Sequence, residues 1–194
     1  MANQASDEQL IHWYQKGNAD AFETLYGRYK NALYHYFYRQ VHSTAIADEL
    51  HQDVWLNIIK SSSGFNRQAS FKTWLYTIAH NRLVDHYRRN SKQPLHLVQD
   101  INSDAEPEIE IADVRQSEPE DELQEQQLSN ALLNGIGLLP EAQKEVFLLY
   151  EKSGLSLDEI AIITDSSFES TKSRLRYAVK KLRQHLAQCL GVKL

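Results

Sequence analysis

The sequence predicts an all-α protein of two small helical domains joined by an acidic flexible linker, with a helix-turn-helix in the C-terminal domain. Three observations support this fold class. Apolar residues recur at three- and four-residue spacing, which is typical of amphipathic helices, and no stretch alternates as a strand would. Between Asp100 and Glu125 there are 11 acidic residues and one basic residue. Near the C-terminus, two segments that begin like capped helices are separated by a tight turn.

The composition is that of a globular protein. Of its 194 residues, 42% are hydrophobic and 24% are charged. No apolar run approaches the ~20 residues that span a bilayer, and the polar, acidic N-terminus does not resemble a secretory signal. The single cysteine, Cys189, excludes an internal disulfide and fits a reducing compartment, and we assign it no role. We expect a cytoplasmic protein without membrane insertion, and nothing in the sequence points to a cofactor or a metal.

The net charge is −5, but the acidic residues are concentrated in one segment of the chain. Without the segment from Asp100 to Glu125, the chain has 20 basic and 15 acidic residues, a balance of +5. The region 93–121 contains three of the four prolines, Pro94, Pro107 and Pro119, and it lacks aromatic residues. Such a segment buries too little apolar surface to offset the entropy that is lost on ordering. We predict that it links an N-terminal domain, residues 1–92, to a C-terminal domain, residues 122–194.

Four helices are predicted in the N-terminal domain, and their expected starts are Ser6, Asn18, Ser43 or Thr44, and Phe71. Ser6 and Gln9 have the spacing of a capping box, and Gly17 would end the first helix. The third helix, through about Ile59, is apolar on one face and carries carboxylates and amides on the other. A serine-rich loop over 61–64 separates it from the fourth helix.

The fourth helix lies within a basic stretch. Between Lys60 and Lys92 there are seven Lys or Arg residues and one carboxylate, Asp85. One face of the helix is apolar, and its spacing places Trp74 in the core. The opposite face combines cations, amides and an aromatic ring, a composition suited to phosphates and unpaired bases. A solvated amphipathic helix is the simpler alternative. The residues of interest on this face are Lys72, Tyr76, His80 and Asn81.

Four helices are also predicted in the C-terminal domain. The first begins near Asp121 and the second at Leu139-Pro140, because proline is tolerated in a first helical turn. Gly154 is placed to cap the end of the second helix. Capping boxes would open the third and fourth helices, at Ser156–Glu159 and Ser166–Glu169.

The last two helices and their turn have the arrangement of a helix-turn-helix. The first turns of the second helix in such a motif enter the DNA major groove. From Lys172 to the C-terminus there are seven cations and no acidic residue. A basic solvated face on a terminal helix is the alternative. Five side chains are placed to reach bases or phosphates: Ser170, Thr171, Lys172, Ser173 and Arg176.

Three segments match family motifs in the same order. Ala47–Trp55 is similar to A-E-D-L-x-Q-E-x-F, and Phe71–Arg89 is similar to F-x-x-W-L-Y-x-I-A-x-N-x-x-x-D-x-x-R-R. The third segment has Leu139-Pro140 and Glu159–Ala161, where the family has LP and EIA. It continues with Ser170–Leu175, which corresponds to the last six positions of the family's G-x-x-x-G-T-V-K-S-R-L. The family is that of the sigma-70 transcription initiation factors, in its small extracytoplasmic-function group. The resemblance covers both predicted domains.

The resemblance implies three functional surfaces and one regulatory partner. The third helix would bind core RNA polymerase, through Asp48, Glu49, Gln52, Asp53, Trp55 and Leu56. The Phe65–Arg89 stretch would recognise and open the promoter −10 element, through Phe65, Arg67, Lys72, Tyr76, His80, Asn81, Arg88 and Arg89. The last helix would bind the −35 element, through Ser170, Thr171, Lys172, Ser173, Arg174 and Arg176. Members of the family commonly respond to stress, often of the envelope, and are held by an anti-sigma factor.

The predicted turn departs from the family pattern. Asp165 and Ser166 replace a glycine and an apolar residue, and Glu169 replaces a second glycine. Aspartate tolerates a left-handed conformation better than most residues, so the turn should survive. Glu169 would repel phosphate unless it caps the helix or accepts from a cytosine amino group. Of the properties that the resemblance implies, the base preference at the −35 element is therefore the one that this sequence supports least.

Two other functions fit parts of the sequence. A metal-dependent nuclease could be assembled from Asp48, Glu49, His51, Asp53, Asp85 and His86, although no two histidines have ligand spacing on one helix face. A one-component repressor would use only the C-terminal domain and would leave the basic, aromatic face of the first domain unexplained. A transcription assay with purified core polymerase distinguishes a sigma factor from a nuclease or a repressor, because only a sigma factor confers promoter-specific transcription.

Overall fold

The computed structural model describes the backbone of residues 5–66, 70–90 and 119–190, and the side chains of the same residues except 119–125. The helices are α1 (Asp7–Gln15), α2 (Ala19–Val41), α3 (Thr44–Ser61), α4 (Phe71–Asn90), α5 (Pro119–Gly137), α6 (Glu141–Glu151), α7 (Leu157–Ile163) and α8 (Phe168–Leu190). A 3-10 turn, Ser62–Gly64, lies where the sequence predicts a loop. The described ranges contain no strand, and the all-α prediction is confirmed.

Side-chain caps explain where the N-terminal helices begin. The Ser6 hydroxyl accepts from the Gln9 N–H at 3.2 Å, and the Gln9 side chain accepts from the Ser6 N–H at 3.0 Å, which completes the predicted capping box. Asn18 and Ser43 cap α2 and α3, each by accepting one backbone N–H. The structure confirms these predicted helix starts. They could be predicted from the sequence because each cap involves residues only three positions apart.

The link from α6 to α7 also follows the sequence prediction. Gly154 has φ +59, and its N–H donates to the carbonyl of Tyr150 at 3.2 Å, as in a left-handed C-cap. Ser156 and Glu159 then form the capping box that opens α7. Helix α6 therefore ends and α7 begins within a few residues.

The capping box predicted for α8 is wrong. The helix begins at Phe168, and the Ser167 hydroxyl accepts from the Ser170 N–H at 3.2 Å. The third residue of the helix is therefore Ser170, so Glu169 cannot reach back as the second half of a box with Ser166.

The core of the N-terminal domain is built from α1 to α4, with Phe37, Leu50 and Leu75 among its buried side chains. The prediction for α4 needs a correction. Trp74 packs against this core but stays half-buried, whereas Tyr76, predicted for the open face, is buried. The buried face of α4 therefore includes Tyr76, which the sequence placed on the open face, because a second group of helices covers that side of α4.

This second group of helices is the C-terminal domain, in which α8 packs against α5, α6 and α7. Helix α4 lies against α7, and α2 lies against α5 and α6. Buried apolar side chains of both domains belong to one continuous cluster. Helix α5 begins at Pro119 and so includes the last residues of the predicted linker, whose remainder, 93–118, lies outside the described residues.

Candidate polymerase and nucleic-acid interfaces

The outward face of α3 carries most of the residues predicted to bind polymerase. Asp48, Glu49 and Gln52 are exposed, and Asp53 is half-buried. Leu56 keeps 52% of its surface accessible to solvent. The carboxylates and the leucine on this face of α3 are therefore accessible to a protein partner.

A groove of about 250 Å³ lies beside these residues, lined by Tyr26, His51, Gln52, Trp55, Leu56 and Ile59. Trp55 itself is buried. Its Nε1 donates to Nε2 of His51 at 3.0 Å, and its ring meets Tyr26 edge-on at 4.9 Å. Burial lowers the pKa of His51, which favours the neutral ring that accepts this bond. Tyr26, Leu56 and Ile59 remain exposed and form an apolar patch of the kind that marks a protein-binding surface.

The sequence prediction missed Tyr26 and His51 in this groove. His51 precedes Trp55 by four residues, a spacing that places both on one helix face and could have identified it. Tyr26 belongs to α2, and only the packing of α2 on α3 brings it to the groove.

The basic face of α4 is largely covered by the C-terminal domain. Tyr76, predicted to contact the −10 element, is only 1% exposed. Its ring meets Tyr36 edge-on at 5.6 Å, and its side chain hydrogen-bonds Ser153 of the C-terminal domain. Burial raises the pKa of Tyr76 in spite of that hydrogen bond. In this conformation Tyr76 packs between the domains and is inaccessible to DNA.

Glu145 of α6 lies at the centre of the same junction. Its Oε1 accepts from the Tyr36 hydroxyl and from Nδ1 of His80, each at 2.7 Å. Glu145 is 9% exposed. The pKa of the buried Tyr36 is raised, first by burial and then by the charge of Glu145. One carboxylate oxygen therefore joins α2, α4 and α6.

A second contact joins α4 to the start of α7. The Thr73 hydroxyl donates to Oε1 of Glu159 at 3.0 Å. The pKa of Glu159 is lowered, first by the N–H of Ser156 and further by Thr73 and by the charge of Lys72. Lys72 is half-exposed, and its charge faces a carboxylate of the other domain.

The other residues predicted for the −10 element have different environments. Phe65 is buried in an aromatic cluster with Phe71. Asn81, Arg88 and Arg89 are exposed. The remaining residue of this set, Arg67, lies outside the described residues.

Helix α8 presents a row of cations to solvent. A groove of about 700 Å³ runs along it, lined by Lys172, Leu175, Arg176, Val179, Lys180, Arg183 and Gln184. Nζ of Lys172 lies 5.9 Å from the ring centroid of Phe168, and the Arg176 guanidinium lies 5.3 Å from that of Tyr177. These cation–π contacts hold the two charges close to the helix surface. Phe168 and Tyr177 are exposed aromatic residues that the sequence prediction did not include.

Among the residues predicted for the −35 element, Ser170, Ser173 and Arg174 are half-exposed, but Thr171 is completely buried. The Thr171 hydroxyl lies 2.8 Å from that of Ser166. In this structure Thr171 therefore fixes the turn rather than facing DNA.

The turn itself has the conformation that the sequence predicts. Asp165 has φ 45, in the left-handed region that aspartate tolerates better than most residues.

Family models recognise both halves of the chain. The model of Sigma-70 region 2 matches residues 25–93, and that of Sigma-70, region 4 matches residues 135–184. The chain is 30% identical over 179 residues to the ECF RNA polymerase sigma-E factor of Haemophilus influenzae, covering 90% of this chain and 92% of that protein. The chain belongs to the sigma-70 family, in its extracytoplasmic-function group.

Other comparisons agree with this assignment. The RNA polymerase sigma factor YlaC of Bacillus subtilis is 27% identical over 169 residues, covering 87% of this sigma factor and 94% of YlaC. CnrH, solved in complex with the cytosolic domain of CnrY, matches with a TM-score of 0.65 at 22% identity, over 95% of this chain and 99% of that one. RpoE, solved with the anti-sigma factor NepR from Bartonella quintana, matches with a TM-score of 0.65 at 21% identity, over 89% and 98%. At these identities the two structures show a shared fold.

As a sigma factor, the protein binds core RNA polymerase and promoter DNA and is not an enzyme. The nuclease and repressor alternatives are therefore wrong. Within the described ranges, no three His, Cys, Asp or Glu side chains converge as a metal site. In the same ranges, no helix has both the length and the apolar character needed to cross a membrane.

Proposed function

We propose that this sigma factor directs core polymerase to promoters by reading the −35 element with α8 and the −10 element with α4 and the segment before it. The observation that carries the proposal is the cationic groove of α8, in which four basic side chains follow the exposed face of the second helix of a helix-turn-helix. A recognition helix places its first turns in the major groove, where cations contact phosphates and base edges.

Reading of the −10 element requires a different conformation. Asn81, Arg88 and Arg89 are exposed, but Tyr76 and His80 are engaged with the C-terminal domain. We propose that these two side chains hold unpaired bases once the domains separate. Stacking on an aromatic ring is worth ~1–3 kcal/mol per base, which is enough to bias a marginal melting equilibrium.

Core polymerase would dock on α3, with Asp48, Glu49, Gln52 and Asp53 supplying charge and the groove at Trp55 and Leu56 supplying apolar contact. We further propose that the protein is cytoplasmic and that an anti-sigma factor holds it until a stress, such as one of the envelope, releases it. The similar fold of RpoE, solved with the anti-sigma factor NepR, supports this partner.

Reconstituted transcription tests the proposal at the −35 element. Purified core polymerase with the wild-type protein should initiate from discrete promoters, which the 5′ ends of the transcripts locate. The Lys172→Ala/Arg176→Ala double variant should lose initiation at promoters that depend on a −35 element. Lys152→Ala, an exposed lysine of the same domain, is the matched control. Wild-type transcription by the double variant would mean that α8 does not read this element.

Permanganate footprinting tests the proposal at the −10 element. Tyr76→Ala should retain polymerase binding but lose the reactive thymines that mark opened DNA. An unchanged footprint in this variant would exclude Tyr76 as a single-strand reader.

A further inference from the structure

Helix α1 makes hydrogen bonds to the chain on both sides of the segment that leads into α4. Oε1 of Glu8 accepts from the backbone N–H of Phe71 at 3.0 Å. Nε2 of Gln15 donates to the carbonyl of Ser62 at 2.7 Å and to that of Phe65 at 3.4 Å. One helix therefore holds both the 3-10 turn before this segment and the first residue of α4 after it.

The spacing of Glu8 and Gln15 suits this double attachment. Residues seven positions apart lie about 10 Å apart along a helix and at nearly the same angle around it. Both side chains are half-buried, and Leu10 and Ile11, which have no exposed surface, fix α1 in the core between them. The two attachment points consequently belong to one rigid element.

The orientation of the Gln15 amide is determined by its neighbours. Two carbonyls accept from its Nε2, and Nδ1 of His12 lies 3.3 Å from its Oε1. His12 can donate to that oxygen from Nδ1, so all these contacts agree with a single orientation of the amide. The Ser62 carbonyl also accepts from the Phe65 N–H at 3.1 Å. This carbonyl therefore receives one hydrogen bond from within the turn and one from α1.

Glu8 completes the N-terminus of α4. The first backbone N–H groups of a helix have no acceptor within the helix itself. The Ser70 hydroxyl accepts from the Thr73 N–H at 3.4 Å, and the Ser70 carbonyl accepts from the Trp74 N–H at 3.1 Å. The N–H of Phe71 donates to Glu8 instead, and a carboxylate is the favourable charge at this end of a helix. The start of α4 is therefore fixed partly by its own residues and partly by α1.

We propose that Glu8 and Gln15 are positioning residues for recognition of the −10 element, because they fix the backbone on both sides of the segment that reads it. The proposal rests on the proposed reading of this element by α4 and the segment before it. Phe65 is buried, whereas Asn66, which follows it directly, is exposed. The carbonyl that Gln15 holds belongs to the peptide bond between these two residues. Gln15 therefore fixes the point at which the chain passes from a buried anchor to a residue that DNA can reach.

A fixed backbone favours both the affinity and the selectivity of such a segment. Groups that are already held in place lose less conformational entropy when a DNA strand binds. Discrimination between bases also depends on accurate placement of the contacting groups, which supporting hydrogen bonds maintain. Polymerase docking is proposed for the outward face of α3 and needs neither contact of α1. Loss of these contacts should therefore reduce the discrimination among −10 sequences without weakening the binding of polymerase.

Binding of polymerase holoenzyme to fork-junction DNA tests the inference. The single-stranded tail carries the non-template −10 sequence of a promoter mapped in transcription, and a set of related tails has one base replaced at each position. Glu8→Met/Gln15→Met removes the contacts and nearly conserves the side-chain lengths. One hydrogen bond contributes a factor of about two to ten to an equilibrium, so the discrimination between the mapped tail and the substituted tails should fall about tenfold. The affinity of the variant for core polymerase should equal that of the wild type.

Two control variants separate positioning from stability. Glu8→Gln keeps an acceptor oxygen for the Phe71 N–H and should restore the discrimination that Glu8→Met loses. Asn18→Ala removes the side-chain cap of α2, a contact of similar strength in the same domain that does not involve the chain before α4. It should lower the urea midpoint of unfolding and leave the discrimination unchanged. An equal loss of discrimination in Asn18→Ala would reduce the role of α1 to stability and overturn the inference.

The same measurement distinguishes failure of the inference from failure of the proposed function. Discrimination by the double variant equal to that of the wild type would overturn the positioning role and leave the reading of the −10 element in place. A wild-type holoenzyme that does not distinguish the tails would overturn both. If the double variant does not fold, Glu8→Met and Gln15→Met are measured singly, and each should lose about threefold in discrimination. Wild-type discrimination in both single variants would again overturn the inference.

Discussion

The hydroxyl of Thr171 lies 2.8 Å from that of Ser166, and this contact ties the first turn of α8 to the turn before it. Thr171→Val keeps the side-chain shape and removes the hydroxyl. We expect the free energy of unfolding in urea to fall by about 1 kcal/mol, because a buried hydrogen bond is lost. The salt dependence of DNA binding should not change, since no phosphate contact is removed. Normal stability with a flatter salt dependence would instead assign Thr171 to the DNA.

Lys172 and Arg176 should differ in what they read. Arg176→Ala should cost about 1–3 kcal/mol of promoter binding at the preferred sequence and relax the preference at one base position, if Arg176 contacts a base edge. Lys172→Ala should weaken binding to all sequences and flatten its salt dependence, as expected of a phosphate contact. Binding of a set of −35 variants to polymerase holoenzyme at several salt concentrations separates the two roles. Identical behaviour of the two variants would contradict this division.

Glu169 is exposed in the first turn of α8, next to Lys172 in the recognition surface. Because it does not form a capping box, its carboxylate is available to accept from a cytosine amino group. Glu169→Gln should move the preference at one position of the −35 element from cytosine toward adenine, by about 1–3 kcal/mol in relative binding. Selection of −35 sequences with both proteins measures the shift. The same selected sequences from both would show that Glu169 does not contact a base.

Replacement of Trp74 should lower the stability of the fold without affecting promoter opening. Replacement of Tyr76 should affect both. The Trp74 ring lies 5.0 Å from that of Phe65 and 6.0 Å from that of Phe71, between centroids, and is half-buried. Trp74→Ala should lower the free energy of unfolding by about 2 kcal/mol, below the cost of truncating a fully buried aromatic residue. Thermal unfolding followed by circular dichroism measures this loss. Wild-type stability together with lost opening would show that Trp74 serves DNA rather than packing.

Acidification should destabilise the protein. Burial lowers the pKa of four histidines, His35, His42, His51 and His86. Their unfolded forms titrate near pH 6.5, so between the lowered pKa values and about 6.5 the unfolded chain binds more protons than the folded one. The free energy of unfolding should therefore fall as the pH drops below about 6.5. The lowered pKa of Glu159 acts in the same direction at more acidic pH.

Urea unfolding at about pH 7.5 and about pH 5.5 measures this effect. His42→Asn is the informative variant, because asparagine tolerates the left-handed conformation of His42, whose φ is 51, and does not titrate. Its stability should fall less between the two pH values than that of the wild type. Equal or greater wild-type stability at the lower pH would contradict the assignment.

Local sequence determined most of the helix boundaries. The capping boxes at Ser6 and Ser156 and the left-handed Gly154 were predicted correctly, because each involves residues within about four positions of one another. The wrong prediction of the α8 cap is an error of one residue. Ser166 and Ser167 are both suitable N-cap residues, but the Ser166 hydroxyl contacts Thr171, and Ser167 caps the helix instead.

Sequence motifs were also sufficient for the family, because three motifs with defined order and spacing occur together. What only the tertiary structure decided is which faces are open. Helical periodicity separates the two sides of α4, but it cannot say that α6 and α7 cover Tyr76 and His80 while Trp74 keeps part of its surface in solvent. Glu145 lies 65 positions from His80 in the chain. A contact over that separation depends on how whole helices pack, and nothing in the sequence near either residue specifies it.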